Sequence, residues 1–293
     1  MTLPERLTLV RHGESEANIA SHLVKTGRAS EVPKSFANRH DSFMRLSPKG
    51  VEQANIAGRW LAENFEIPFD RFYVSPHART RETAAQLKLN GEWLVDDRFR
   101  ERDWGEVYSH KGMDDEAKRV RNLHEYYWKP LGGESLATGV RLRIESIMNS
   151  LYRRNNIHHV LAVAHGESIR QFQVVNERLT PEAFLEYSNN PEYKIQNAMI
   201  IQYSCVNPND PTERSNHYQW RRGICPWDRS LDWDNGKWLN VDAVKHSDQD
   251  LLNYVHTIKP LLSTDNSRLE QLKPKYSVLR RFWNFFSKIK FDR

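Results

Sequence analysis

The chain has 293 residues, of which 39% are hydrophobic and 28% charged, and it contains 9 Trp, 11 Tyr and 12 Phe. This aromatic content requires a folded interior and excludes an intrinsically disordered chain. No run approaches the roughly 18 apolar residues of a membrane-spanning helix. The net charge of +5 originates in residues 268–293, which carry eight Lys or Arg and two acidic residues, so the remainder carries −1. We therefore expect no nucleic-acid binding by the main domain.

Two features bear on location. The first ten residues lack a basic region followed by an apolar core, so they predict a strand and not a secretory signal. Cys205 and Cys225 are too few for a disulfide framework or for a zinc site built from cysteine alone. We expect a cytoplasmic protein.

The first half of the chain predicts strands that alternate with helices. Leu7–Val10 is an apolar run that ends at a glycine turn, and Arg71–Val74 predicts a second short strand. Ser47-Pro48 supplies an N-cap and a first-turn proline for the helix that follows, and Ser75-Pro76 opens another helix that carries Arg79. Residues 26–45 lack periodicity and are predicted to form a loop or insertion.

The second half continues the alternation. A polar loop is predicted over residues 101–115, and residues 107–131 are predicted to form a lid. A helix is predicted after Gly132–Ser135, a buried strand over His159–Ala164, and an edge strand over Ile195–Tyr203. Strands alternating with helices imply an α/β fold with a largely parallel sheet covered on both faces.

Three regions are predicted along the chain. Residues 1–204 form the core domain, residues 205–266 form an aromatic-rich appendage packed on it, and residues 267–293 form a basic amphipathic tail. A helix over residues 276–291 would gather Leu, Phe, Trp and Ile side chains on one face. Docking on its own domain or on another subunit is favoured over contact with a membrane surface, because one short helix binds lipid weakly. The oligomeric state stays open.

One arrangement occurs twice. His12 and His165 each follow an apolar strand and each precede a glycine turn into a helix. If the two strands are neighbours in a parallel sheet, both imidazoles enter one pocket beside two helix N-termini, which favour anions. Arg11 adjoins His12, and Arg79 lies early in a helix after another strand. Two arginines, two histidines and two helix ends predict a phosphate site.

A series of motifs follows in order along residues 6–204. They are LVRHGESEAN at Leu9–Asn18, LSPKGVEQA at Leu46–Ala54, SPHARTRETA at Ser75–Ala84, RERDWG at Arg100–Gly105, GGES at Gly132–Ser135 and HG at His165-Gly166. In this order the motifs resemble those of the histidine phosphatase (phosphoglycerate mutase-like) superfamily, in its RHG-motif phosphatase branch. The resemblance implies a three-layer α/β/α sandwich with a mostly parallel sheet, to which the C-terminal appendage is added.

The resemblance also implies a role for each site residue. His12 would be the nucleophile that forms a phosphohistidine, and Glu101 would serve as general acid and then as general base. Arg11, Arg79 and His165 would hold the phosphoryl oxygens. Further contacts to the phosphate are expected from Gly13, Glu14, Ser15, Asn18 and Gly166. No metal or other cofactor is implied, because cationic side chains take its place.

Three activities are weighed for this set. Mutases of the superfamily usually carry Trp where Ala17 stands, a Gly-Trp element where residues 42–45 stand, and a different sequence after the acid than Arg102–Gly105. These departures favour a phosphomonoesterase acting on a small phosphorylated substrate over a phosphoglycerate mutase-like phosphotransferase. A non-catalytic phosphate-binding protein is disfavoured because every expected catalytic residue is present.

Two residues depart from the usual pattern near the site. His77 stands where an apolar residue is common, and Glu167 stands where a small residue is common. We expect the carboxylate of Glu167 to repel highly anionic substrates.

Overall fold

The computed structural model describes residues 3–65, 68–105, 114–153, 157–241 and 243–261. The predicted tail helix over residues 276–291 lies outside these ranges, as does the part of the predicted lid before residue 114. Residues 1–243 form one compact unit, and residues 244–293 form a second. The site is built in the first unit.

The described residues contain nine strands. They are β1 (Arg6–Arg11), β2 (Arg71–Val74), β3 (Trp93–Val95), β4 (His159–Ala164), β5 (Ile200–Ser204), β6 (Val206–Asn207), β7 (Asp210–Arg214), β8 (Trp220–Ile224) and β9 (Leu239–Asn240). In this part of the chain one sheet has the order β3-β2-β4-β1-β5-β8-β9, and β6 and β7 pair separately. Neighbours among β3, β2, β4 and β1 run parallel, whereas β5 is antiparallel to both β1 and β8. The sheet is therefore mixed and mostly parallel, as predicted.

Helices cover both faces of this sheet. In the first unit they are α1 (Glu16–Lys25), α2 (Pro48–Asn64), α3 (Ala78–Gln86), α4 (Asp115–Leu123), α5 (Arg141–Tyr152), α6 (Gly166–Glu177) and α7 (Pro181–Asn189). Side chains alternate along the strands: Leu9 and Ala162 join a core with α5 and α6, whereas Val10 and Val163 join a core with α2 and α3. Burial of β4 on both faces confirms the α/β/α layering.

Local sequence explains where the helices begin. The Ser47 side chain accepts a hydrogen bond from Gly50 N with Pro48 at the first helical position, and Thr180 and Pro181 start α7 in the same way. The helix predicted after Ser135 begins as a π turn, Leu136–Val140, before α5. Residues 26–45 are predicted as a loop, and they contain three short 3₁₀ turns, the last of which is Asp41–Phe43.

Two predictions about the C-terminal side of the sheet differ from the structure. The strand expected at the edge begins at Ile200 and lies inside the sheet between β1 and β8, with all five of its residues buried. The predicted division at residue 204 separates β5 from β8, although these strands are hydrogen-bonded neighbours. Sequence missed this pairing because Trp220–Ile224 contains two adjacent arginines, Arg221 and Arg222, and lacks an apolar run.

The second unit is described as far as residue 261. It contains α8 (Asp248–His256), which begins with a capping box between Ser247 and Asp250. Among the described residues, no helix has both the length and the apolar character needed to cross a bilayer.

A buried ion pair connects β8 to α6 and tests whether residues after 204 belong to the core. Arg221 Nη1 lies 3.1 Å from both carboxylate oxygens of Glu177, and both side chains are almost fully buried. We predict that Arg221→Ala lowers the free energy of unfolding by about 3–5 kcal/mol, because it leaves a buried carboxylate uncompensated. Urea denaturation measures this change.

The matched control is Arg214→Ala on β7, which breaks an exposed ion pair with Glu5. It should cost less than about 1 kcal/mol. A similar small cost for Arg221→Ala would contradict a structural role for β8.

Candidate active site

Two buried histidines meet at the carboxyl ends of β1 and β4. The strands pair in parallel with Arg11 opposite Ala164, and His12 N donates to Ala164 O at 3.0 Å. The two imidazole centroids are 5.2 Å apart, and both side chains are shielded from solvent. The predicted juxtaposition of His12 and His165 is therefore present, at the edge of a parallel sheet where ligands bind.

The ring of His12 is oriented by its own glycine turn. Nδ1 lies 2.7 Å from Gly13 O, and since a carbonyl oxygen only accepts, Nδ1 carries the proton and Nε2 carries a lone pair. Burial, followed by the positive charges of Arg79 and Arg11, lowers the pKa of His12 well below its usual value. A neutral imidazole with a free Nε2 is a competent nucleophile at neutral pH.

His165 is held by a residue that sequence reasoning assigned only to a helix start. Ser75 lies at the end of β2, its Oγ is 2.7 Å from His165 Nε2, and the same Oγ accepts a hydrogen bond from His77 N. With the Ser75 hydroxyl as the donor to Nε2, the proton of His165 lies on Nδ1, a buried atom that has no hydrogen-bond partner among the described residues. Burial and Arg79 lower the pKa of His165, so the ring is a neutral donor.

Two arginines approach the histidine pair. Arg11 Nη1 donates to Ile195 O at 2.6 Å, and its buried Nε has no hydrogen-bond partner within the described ranges. Arg79 is buried, and it donates through Nη1 to the backbone carbonyl of Asp41 at 2.7 Å and through Nη2 to the Asp41 carboxylate at 2.8 Å. Both cations therefore lie where the sequence predicted them, and Asp41 is an addition that the sequence did not suggest.

The carboxyl group of Glu101 faces this cluster. Its Oε1 accepts a hydrogen bond from Arg102 N at 3.0 Å, and its Oε2 is 4.0 Å from His165 Nδ1. Burial raises the pKa of Glu101 against the opposing charges of Arg79 and Arg11. A carboxyl group with a raised pKa can deliver a proton and later remove one.

The segment that carries Glu101 is fixed by Glu134. The Glu134 carboxylate contacts Arg100 at 2.5 Å and Arg143 at 2.9 Å, and it accepts a hydrogen bond from Asp103 N. The charges of Arg143 and Arg100 lower the pKa of Glu134 against its burial, so this acid stays ionised. Glu134 therefore positions the segment and is not a competitor for the acid role.

Gly13 and Gly166 are the two glycines among the residues predicted to contact phosphate. Gly13 N donates to Thr83 Oγ1 at 3.1 Å, and a Cβ at Gly13 would collide with the backbone of Gly50, so the turn requires glycine. Gly166 begins α6 beside the Arg11 guanidinium, and His165 at the N-cap does not cap the helix with its side chain. The N-terminus of α6 therefore faces the cluster of cations.

The side chains of Glu14, Ser15 and Asn18 have other partners. Ser15 and Asn18 form the capping box of α1, and Asn18 Oδ1 also accepts from Asn197. The Glu14 carboxylate accepts from Ser47 Oγ at 2.8 Å and ties α2 to the turn. In this structure these side chains position helices, and their predicted contact with phosphate stays a prediction.

Comparison with known proteins agrees with this geometry. A sequence profile of the histidine phosphatase superfamily (branch 1) matches residues 7–192. The chain belongs to this superfamily. It is 32% identical over 192 residues to the 2,3-bisphosphoglycerate-dependent phosphoglycerate mutase of Sinorhizobium fredii, covering 61% of this chain and 82% of that protein.

Solved structures share the superfamily fold. A putative alpha-ribazole-5'-P phosphatase from Escherichia coli superposes with a TM-score of 0.54 at 18% identity, covering 73% of this chain and 96% of that one. A mycobacterial glucosyl-3-phosphoglycerate phosphatase gives a TM-score of 0.52 at 23% identity, covering 68% of this chain and 91% of that one. At these identities the likeness establishes the fold alone.

Glu167 lies on the first turn of α6, and its side chain is beside that of Arg102. Its Oε2 is 3.8 Å from Arg102 Nη1, and both atoms are buried with no hydrogen-bond partner among the described residues. Burial and the neighbouring charge of Glu101 raise the pKa of Glu167. With its pKa raised to about 8, Glu167 is mainly protonated at neutral pH, so the expected repulsion of highly anionic substrates by this residue stays a prediction.

The lowered pKa of the buried His77 side chain can be tested through the pH dependence of stability. Burial and Arg79 lower its pKa to about 4, against the opposing charge of Asp41. The pKa of histidine in an unfolded chain is about 6.5. Between pH 4 and pH 6.5 the unfolded chain therefore binds a proton at this position that the folded chain does not. The free energy of unfolding must therefore fall as the pH is lowered from 6.5 towards 4.

We predict that His77→Gln makes this dependence shallower by up to about 1.4 kcal/mol per pH unit. Urea denaturation at a series of pH values measures the slope, with exposed His22→Gln as the matched control. Equal slopes for His77→Gln and the wild type would contradict burial of a neutral imidazole at this position.

Proposed function

We propose that the protein is a phosphomonoesterase that works through a phosphohistidine on His12 without a metal ion. The observation that carries the proposal is the His12 ring itself. Its Nδ1–H donates to Gly13 O, which leaves a lone pair on Nε2. The imidazole is buried and neutral, and it lies beside two arginines. The chain has a nucleophile, cations for the phosphoryl oxygens and a carboxyl group with a raised pKa in one place.

The proposed reaction has two displacements. In the first, His12 Nε2 attacks phosphorus, the ester P–O bond breaks, and Glu101 donates its proton to the leaving oxygen. In the second, the Glu101 carboxylate accepts a proton from water as the water oxygen attacks phosphorus and the P–N bond breaks. Inorganic phosphate leaves and both residues return to their first state. Acid–base assistance of this kind contributes about 10²–10⁴-fold to the rate.

The remaining residues would stabilise the transferring phosphoryl group. Arg11 and Arg79 supply positive charge, and Nδ1–H of His165 supplies a neutral donor directed by Ser75. Such groups stabilise the transition state because their dipoles and charges are already oriented before reaction. Among the described residues, no three His, Cys, Asp or Glu side chains are grouped to hold a metal ion.

The second candidate is a phosphoglycerate mutase. The relative from Sinorhizobium fredii carries that name, whereas the two structural neighbours are named as phosphatases. The absence of the mutase sequence elements around Ala17 and residues 42–45 supports hydrolysis. A coupled assay with 3-phosphoglycerate and 2,3-bisphosphoglycerate separates the two, because a mutase forms 2-phosphoglycerate and a phosphatase releases inorganic phosphate.

The nucleophile is tested with p-nitrophenyl phosphate in excess EDTA. We predict turnover by the wild type and a loss of more than about 10³-fold for His12→Ala, because no phosphoenzyme forms. His158→Ala, at an exposed position, is the control and should retain full activity. Equal turnover by His12→Ala and the wild type would show that another group is the nucleophile.

The acid is tested by varying the leaving group. We predict that Glu101→Gln lowers kcat/KM by about 10²–10⁴-fold for phenyl phosphate, and much less for p-nitrophenyl phosphate, whose leaving group needs little protonation. The variant should also accumulate phosphoenzyme with p-nitrophenyl phosphate, because the second step lacks its base. Exposed Glu116→Gln on α4 is the control. Equal losses with both substrates would argue for a structural role of Glu101.

The pH dependence follows from the same two residues. The lowered pKa of His12 places the acid limb of kcat/KM below pH 6.5, where His12 becomes protonated. The raised pKa of Glu101 places the alkaline limb above pH 4.5, where the acid loses its proton. The expected profile is a bell, and the alkaline limb should be absent in Glu101→Gln.

A further inference from the structure

A cavity of about 380 Å³ adjoins Glu101 and His77, and Asp41, Asp103 and Trp104 also line it. In the proposed function, on which this inference rests, Glu101 must reach the leaving oxygen of the substrate. The leaving alcohol therefore belongs in this cavity, on the Glu101 side of the phosphoryl group. The charges that line the cavity then decide which alcohols are accepted.

Two arginines that line the cavity are paired with carboxylates that lie outside the cavity. Arg39 is 3.3 Å from the Glu16 carboxylate. Arg100 is 2.9 Å from Asp97 and 2.5 Å from Glu134. None of these three carboxylates lines the cavity. These arginines therefore offer little positive charge to a bound alcohol.

The third arginine of the lining, Arg102, is held by two backbone carbonyl groups and an aromatic ring. Arg102 donates through Nε to Glu134 O and through Nη2 to Trp128 O, and its guanidinium stacks 4.4 Å from the Trp104 ring. Its remaining nitrogen, Nη1, faces Glu167 at 3.8 Å. This Nη1 atom is buried and has no hydrogen-bond partner among the described residues, so a carboxylate or second phosphate on the leaving alcohol would have to reach a buried nitrogen to pair with Arg102.

Asp41 is the carboxylate most affected by substrate. Its Oδ2 accepts from Arg79 Nη2 at 2.8 Å and lies 3.5 Å from His77 Nδ1, while Oδ1 accepts no hydrogen bond from the described residues. His77 Nδ1 is itself a buried atom without a hydrogen-bond partner in that part of the chain. When a phosphate dianion shares Arg79 with Asp41, two anions face one guanidinium, and a positive group on the leaving alcohol restores the balance.

We propose that Asp41 is a specificity-determining residue that selects phosphomonoesters whose leaving alcohol carries an ammonium group. The same carboxylate disfavours esters whose alcohol carries a carboxylate or a second phosphate. The ammonium group binds at Asp41 Oδ1, between the phosphoryl site at Arg79 and the exposed carboxylate of Asp103.

The test compares three substrates that differ mainly in the charge of the alcohol: phosphoethanolamine, glycerol 1-phosphate and 3-phosphoglycerate. We expect the wild type to give a higher kcat/KM with phosphoethanolamine than with 3-phosphoglycerate, with glycerol 1-phosphate between them. Asp41→Asn should reduce the ratio of the first to the third by at least about tenfold, through KM, because one charge is removed at close range. A uniform loss of activity from a displaced Arg79 leaves this ratio unchanged.

Two further variants complete the design. Asp103→Asn, on the same cavity, should shift the ratio in the same direction and serves if Asp41→Asn does not fold. Glu31→Gln removes a negative charge from the same 26–45 segment, where Glu31 pairs with exposed Arg28, and should leave the ratio unchanged.

Turnover of p-nitrophenyl phosphate distinguishes failure of the selectivity inference from failure of the proposed function. If the wild type hydrolyses this ester and the ratio is unchanged in both Asp variants, the selectivity inference is wrong and the proposed function stands. A wild type that prefers 3-phosphoglycerate overturns the inference in the same way. If p-nitrophenyl phosphate is not hydrolysed by any of the proteins, the proposed function fails and the inference fails with it.

Discussion

The in-register parallel pairing of β1 with β4 is the constraint on which the site depends. With Arg11 opposite Ala164, the next residue of each strand is a histidine, so His12 and His165 emerge side by side. β2 pairs with the other edge of β4 and is followed directly by Ser75, whose hydroxyl contacts His165. A slip of one residue in either pairing would turn these side chains to the opposite face of the sheet. All six residues of β4 are buried, so a slip would also exchange side chains between the two cores that pack on its faces.

Charge balance in a dry pocket is the second constraint. Arg79 is buried and Arg11 is half-buried, and a carbonyl, Asp41 and Glu101 lie beside them. Burial lowers the pKa of both histidines, and the positive charges of Arg79 and Arg11 lower it further, so the two rings stay unprotonated. The arginines that would bind phosphate in the proposed reaction therefore also keep His12 nucleophilic. In the proposed reaction the two arginines would thus assist both binding of the phosphoryl group and activation of His12.

The parts of the site that are local in sequence were predictable, and the parts that depend on distant contacts were not. The strand, histidine and glycine turn are contiguous, so both strand-end histidines and the order of β1, β2 and β4 along the chain followed from pattern. Ser75 and Asp41 act through hydrogen bonds to His165 and Arg79, which lie 90 and 38 positions away in the sequence. The internal place of β5 depends on pairing with β8, whose adjacent arginines hide the strand pattern.

Hydrolysis and phosphoryl transfer share every step up to the phosphohistidine, so the residues around His12 do not distinguish them. The match to the mutase of Sinorhizobium fredii covers 61% of the chain, and the phosphatases share the same fold. The difference must come from what approaches phosphorus on the Glu101 side, either water or the hydroxyl of a retained phosphorylated alcohol. Asp41 and Asp103 line that side, and two carboxylates there would weaken retention of a second anionic phosphate. In the proposed reaction, residues 38–41 and 100–105, which line the cavity, would therefore set the fate of the phosphoenzyme.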